Sequence, residues 1–266
     1  TAKAEFAVIK TIAAIRSGVL KCRLFITHSI ENMKPVAIFR HSPTEGPGYF
    51  AAYLDAKGID WQLIRVDEGE AITSDPSLYS GLVFMGGPMS VNDDLPWIPA
   101  TLQLIRRAVD ADVPCLGHCL GGQLMSKALG GQVVRNPVKE IGWGAVQVTP
   151  NTLAKAWLGG LREFLSFHWH GETFSVPEGG TRILASPHCA NQAFVLGKHL
   201  GMQCHVEMTP EMIRAWCRDW GNEVRNRAGA SIQTPEQMEE ELESRVQELN
   251  AVAARLYDVW VGGLKT

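Results

Sequence analysis

Cys119 lies where this chain is best arranged for nucleophilic chemistry. In Val113-Pro114-Cys115-Leu116-Gly117-His118-Cys119-Leu120-Gly121-Gly122-Gln123-Leu124, an apolar run stops at Gly117, and two glycines lead into a helix-forming segment. That order predicts a strand, a sharp turn and a helix, with the cysteine on the turn as in a nucleophile elbow. Free N–H groups and the partial positive charge of a helix N-terminus favour a thiolate and then an oxyanion. A proton shuttle comes from Gln203-Cys204-His205-Val206-Glu207. On a strand, His205 and Glu207 would point to the same side, one as base and the other as its orienter. A third piece, Gly86-Gly87-Pro88, closes the apolar run Leu82-Val83-Phe84-Met85. Without side chains, its backbone N–H groups can approach a substrate closely.

These groups must be held by a scaffold, and the apolar pattern supplies one. Short apolar runs at 36–39, 62–66, 81–85 and 113–117 alternate with helical segments at 49–57 and 98–110. Such alternation predicts an α/β fold, a flavodoxin-like open and mostly parallel sheet with helices on both faces. After the elbow helix the texture changes to closely spaced strands at 132–135, 144–149, 163–168, 182–186 and 193–197, with antiparallel hairpins expected. A last strand at 201–205 returns toward the cysteine. From Thr209 onward the pattern is helical, with Pro210 in a first turn and Met212, Ile213, Trp216 and Trp220 at helical spacing. A second C-terminal helix is expected after a capping box at Thr234 and Gln237, running through Glu239-Glu240-Glu241 toward Trp260.

Four motifs in order, Gly86-Gly87-Pro88, Gly117 to Gln123, His170-Gly171-Glu172 and Gln203 to Glu207, span residues 36–208 and carry a family resemblance. The chain resembles class I, triad-type glutamine amidotransferases, most closely the glutaminase domain of GMP synthase. It is also similar to free-standing relatives that include gamma-glutamyl peptidases. The family usually has proline between the histidine and the glutamate, where this chain has Val206. Proline there shapes the backbone rather than doing chemistry, so the pair is kept.

The resemblance implies Cys119, His205 and Glu207 as the catalytic triad, and Gly87 and Leu120 as the oxyanion hole. Gln123, Trp169 and Gly171 would bind the substrate, L-glutamine or a gamma-glutamyl compound. Neither a cofactor nor a metal is implied. The fate of the ammonia stays open among three readings: a glutaminase subunit serving a separate synthetase, an autonomous gamma-glutamyl peptide or amide hydrolase, and a non-catalytic binding or regulatory module. The residues after Glu207 carry no phosphate loop and are too few for a synthetase domain.

Other reactive side chains have plainer readings. Cys22, Cys115, Cys189, Cys204 and Cys217 read as core residues, and no C-x-x-C pair supports a zinc site. His168 and His170 invite a metal or second-base reading, but the resemblance puts that segment beside the substrate. His118 reads as a simple elbow residue and Trp143 as packing around the pocket. Glu239 to Glu241 read as a solvated helix face.

Bulk properties bound the rest. A chain of 266 residues with 45% hydrophobic content can bury a full core. Its net charge of −3 gives no nucleic-acid footprint, and no apolar run reaches the ~20 residues of a membrane helix. Six irregularly spaced cysteines point to a reducing, cytoplasmic setting rather than a disulfide framework. Residues 1–32 read as an appended extension, with one domain from Met33 to Thr266, of which 209–266 form C-terminal helical elements.

Overall fold

The computed structural model describes residues 33–225 and 229–265. The expected N-terminal extension, residues 1–32, lies outside them. Among the described residues, a single sheet of nine strands runs in the order β2-β1-β3-β4-β9-β8-β7-β5-β6. Its first half, β1 (Val36–Arg40), β2 (Trp61–Arg65), β3 (Gly81–Phe84), β4 (Cys115–His118) and β9 (His199–Met202), is parallel throughout. Its second half, β5 (Val133–Val148), β6 (Glu163–Phe174), β7 (Thr181–Ala185) and β8 (Ala193–Leu196), is antiparallel.

Strand periodicity divides the core into two. Along β1 and β3, Val36, Ile38 and Val83 face one side, while Ala37, Phe39, Leu82 and Phe84 face the other. The second side is covered by α2 (Trp97–Asp110) and α3 (Leu120–Ala128) through Leu104, Ile105, Leu124 and Met125. The first side carries α1 (Tyr49–Lys57), α4 (Thr152–Leu158), α5 (Pro210–Trp220), α6 (Pro235–Glu239) and α7 (Leu242–Val261). Ile213 and Trp216 of α5 are fully buried there beside Tyr257 and Trp260 of α7, so the apolar stripe read in the sequence faces the sheet.

Several expected elements take another form. The strands expected at 132–135 and 144–149 are one long strand, β5, with an irregularity between Arg135 and Glu140. Pro137 lies inside that stretch and has no N–H to give the ladder, so pairing lapses there without ending the strand. Strand β9 ends at Met202, before the expected boundary at residue 205. The expected single C-terminal helix breaks after α6, where Glu240 is extended and Glu241 takes a positive φ of 49°. The capping box at Thr234 and Gln237 forms as expected.

Candidate active site

The elbow is built by close contact between β4, α3 and their neighbours. Cys119 sits between strand and helix with φ 49° and ψ −107°, a conformation that non-glycine residues seldom adopt. Gly121 lets the first turn of α3 press on β3: a Cβ there would lie 1.9 Å from the Phe84 carbonyl oxygen. The thiol is 6% exposed and borders a cavity of about 780 Å³, together with Glu45, Gly87, Gln123, Trp169 and Gly171.

His205 and Glu207 do not lie on a strand as expected; they follow β9 in a loop. Their side chains meet nonetheless, with His205 Nδ1 2.7 Å from Glu207 Oε1. Backbone anchors replace the missing ladder. His205 N–H donates to the Phe167 carbonyl of β6 at 2.9 Å, and Tyr49 N–H donates to the Glu207 carbonyl at 2.8 Å. The second anchor requires Gly48, with φ 50°, because a Cβ there would fall 2.2 Å from that carbonyl oxygen.

Charge within this buried cluster is strongly biased. Burial alone would lower the His205 imidazole, but the Glu207 charge, followed by the charge and hydrogen bond of Cys119, raises it well above 6.5. Burial would likewise raise the Glu207 carboxyl; His118 and His205 outweigh it and bring the carboxyl down to about 2. A thiol that passes its proton to an imidazole held by a carboxylate can attack an acyl carbon as the thiolate, and the imidazolium so formed can then protonate the leaving group.

The family pattern described as glutamine amidotransferase class-I matches residues 50–216. The chain belongs to the class-I glutamine amidotransferase family. A solved glutamine amidotransferase from Methylobacillus flagellatus superimposes on this chain with TM-score 0.86 at 43% identity, covering 88% of this chain and 96% of that one. The glutamine amidotransferase-like protein YfeJ of Salmonella typhimurium is 30% identical over 65% of this chain and 75% of its own length. A GMP synthase of Leptospira interrogans is 33% identical over 49% of this chain, a match that spans only 21% of the synthase.

Of the remaining predicted residues, Gly87, Gln123, Trp169 and Gly171 line the same cavity, and Leu120 lies beside Gly87. Gly87 follows β3 and rests on Leu120, the first residue of α3, with its Cβ position 2.7 Å from Leu120 Cδ2. Gln123, one turn along α3, is buried, and its amide donates to Gln203 Oε1 at 3.1 Å. Trp169 is half-buried and packs edge-on against Trp216 and Trp220. Gly171 lines the cavity beside it. Trp143 packs on Phe167 behind the wall, as expected.

Three further residues of the site escaped the sequence reading. Gln203 directs its amide at Cys119 Sγ, 3.5 Å away, and was legible only as part of the His205 motif. His118 is more than an elbow residue: its Nε2 stands 3.1 Å from the Tyr257 hydroxyl and 3.7 Å from Glu207 Oε2. Glu45 is 5% exposed, and its carboxyl shares the space over Gly86 with the His205 ring. Burial raises that carboxyl to about 7, with His205 opposing and Glu207 reinforcing the shift. A lone acidic residue inside the Pro43-to-Gly48 turn was its one signal in the sequence.

No helix among the described residues is long and apolar enough to cross a membrane. The five cysteines among the described residues are all free.

Proposed function

We propose that the chain hydrolyses the side-chain amide of L-glutamine through a gamma-glutamyl thioester on Cys119. The observation that carries this reading is the relay at the cavity wall, in which the Cys119 thiol meets an imidazole held at 2.7 Å by a buried carboxylate. Cys119 passes its proton to His205 and attacks the amide carbon as the thiolate, and the backbone N–H groups of Gly87 and Leu120 hold the tetrahedral oxyanion. His205 protonates the departing ammonia while Glu207 stabilises the imidazolium. Water, deprotonated by the same His205, then cleaves the thioester to release glutamate. Gln123, Trp169 and Gly171 fix the substrate's amino-acid end. No step calls on a cofactor, and the free thiols fit a reducing, cytoplasmic setting.

A second reading, hydrolysis of gamma-glutamyl peptides or amides by the chain acting alone, is favoured by the cavity. Its volume of about 780 Å³ lies in the upper part of the ~300–1,000 Å³ range of ligand pockets that enclose molecules larger than one amino acid. The match to a GMP synthase over 21% of its length supports the first reading, with ammonia passed to a separate synthetase subunit. Comparing kcat/KM for glutamine and for gamma-glutamyl dipeptides with the full chain separates the two. A glutamine-derived electrophile should label Cys119 alone. Labelling at Cys115 or Cys204 with Cys119 untouched would overturn the mechanism, and absence of turnover on both substrate types would leave a binding module.

A further inference from the structure

At the edge of the cavity, which His170 itself lines, β5 and β6 bring together a second group of reactive side chains that hydrolysis at Cys119 does not use. Their antiparallel register sets Glu140 directly opposite His170, and His168 lies two residues along β6 on the same face. All three are buried, at 5%, 1% and 5% exposure for Glu140, His168 and His170. One ligand atom from each lies within 4.8 Å of the other two.

Hydrogen bonding indicates which ring atoms are bare. His170 Nδ1 stands 3.0 Å from the Glu172 carbonyl oxygen, and His168 Nε2 stands 3.4 Å from the Gly144 carbonyl oxygen. A carbonyl only accepts, so each ring carries its proton on that side and leaves a lone pair on the other nitrogen. Those other atoms, His170 Nε2 and His168 Nδ1, are buried and have no hydrogen-bond partner. His170 Nε2 faces Glu140 Oε2 at the ion-pair distance of 3.1 Å, where a shared proton or a metal ion can offset the carboxylate charge. That separation is close to the edge of a tetrahedron with bonds of ~2.0–2.1 Å, which is about 3.3 Å.

The outer groups complete the pattern. Glu140 accepts from the Ser186 hydroxyl and from the Gln192 amide, both at 2.7 Å, which fixes its carboxylate while leaving lone pairs facing the two rings. Ligating histidines characteristically donate their second N–H to a carbonyl, and ligating carboxylates are themselves hydrogen-bonded. We propose that Glu140, His168 and His170 bind one divalent transition-metal ion of the zinc class. Two imidazoles and one carboxylate suit such an ion better than calcium or magnesium, which prefer all-oxygen shells. The ion would tie β5 to β6 directly behind Trp169 and Gly171, and so brace the wall that they present to the cavity. The sequence displays His168 and His170 as a linear pair, whereas Glu140 joins them only through the pairing of β5 with β6.

Zinc(II) or cobalt(II) titrated into the full metal-free chain should bind with one-to-one stoichiometry. Cys119→Ala should retain that ion, which separates this site from the thiol. His168→Gln and Glu140→Gln should each weaken binding by at least ~10²-fold, with far-UV circular dichroism confirming the fold. Should a variant not fold, X-ray absorption on the zinc-loaded wild-type chain decides. Two imidazoles and N/O scattering near ~2.0 Å are expected, without sulfur at ~2.3 Å. Sulfur in the shell, unchanged affinity in folded variants, or no ion retained by the wild-type chain would each overturn the proposal.

Discussion

Replacing Glu207 with glutamine keeps a hydrogen-bonding group beside His205 and removes only the charge. In the wild-type protein Glu207 Oε1 lies 2.7 Å from His205 Nδ1, and Oε2 lies 3.7 Å from His118 Nε2, with the residue 1% exposed. At ~1.4 kcal/mol per tenfold change in proton affinity, a carboxyl brought from 4.5 to about 2 has its ionised form favoured by ~3 kcal/mol. Without that charge, burial acts on the His205 ring against Cys119 alone, so the imidazolium becomes far weaker.

Carbon- or nitrogen-detected NMR of His205 should find it titrating well below its wild-type position. Turnover of glutamine should fall on the order of 10²–10⁴-fold, the range for losing the orienting carboxylate of a triad. Stability carries the same signature with a fixed sign. Glu207 is lowered in the folded state, so its contribution is complete above about 4.5 and is lost as pH falls toward about 2. His205 is raised, so its contribution is complete below about 6.5 and is lost as pH rises through its folded value. Denaturant midpoints of the variant should therefore depend less on pH at both ends than those of the wild-type chain. Superimposable pH–stability curves, or turnover within about threefold of wild type, would refute the electrostatic reasoning.

His205→Asn should cost more than Glu207→Gln, on the order of 10⁶ in kcat, because it removes the proposed proton shuttle itself; a single-turnover assay checks this. Glu45→Gln should be neutral at pH 4 and stabilising at pH 8. The wild-type carboxyl, raised to about 7, loses its stabilising contribution as pH climbs from about 4.5 through about 7, and paired urea melts at the two pH values test the sign. Gly121→Ala places a Cβ 1.9 Å from the Phe84 carbonyl oxygen, whereas Gly160→Ala meets nothing within 4 Å. The first should cost more than ~1–3 kcal/mol and shift the elbow enough to lose ~10² in rate, and the second neither, as thermal melts and turnover will read. A chain ending before Thr209 loses Ile213, Trp216, Tyr257 and Trp260 from over Ile38 and Phe50, and should be insoluble or molten in expression and dye-binding assays.

The chain's local signals were sufficient for several elements that depend on period and turn chemistry. Glycines around Cys119 announced the elbow, alternating apolar runs announced the parallel strands, and Thr234 with Gln237 announced a helix start. Helix α1 was legible over its whole length because Gly48 and Gly58 bound it with positive φ on either side. The H-x-E spacing of His205 and Glu207 was legible as a motif, though not its setting. Separation of two residues predicted a shared strand face, while the tertiary fold supplied loop backbone anchored to Phe167 and Tyr49.

Only the folded structure decided which distant groups meet. Glu45 reaches His205 because the turn after β1 folds over Gly86. Tyr257 reaches His118 across 139 residues because α7 packs on the sheet beside β4. Glu140 meets His168 and His170 through the register of β5 and β6, which Pro137 interrupts without ending. Sequence patterns report the local backbone and which face is apolar, since those follow from neighbouring residues. Register and long-range docking depend on how whole faces pack, and a one-residue slip would turn every side chain of a strand to the other side. The Cys119 elbow and the His205–Glu207 motif were therefore legible in the sequence, while the groups that set their charge and wall their cavity were assembled by the sheet.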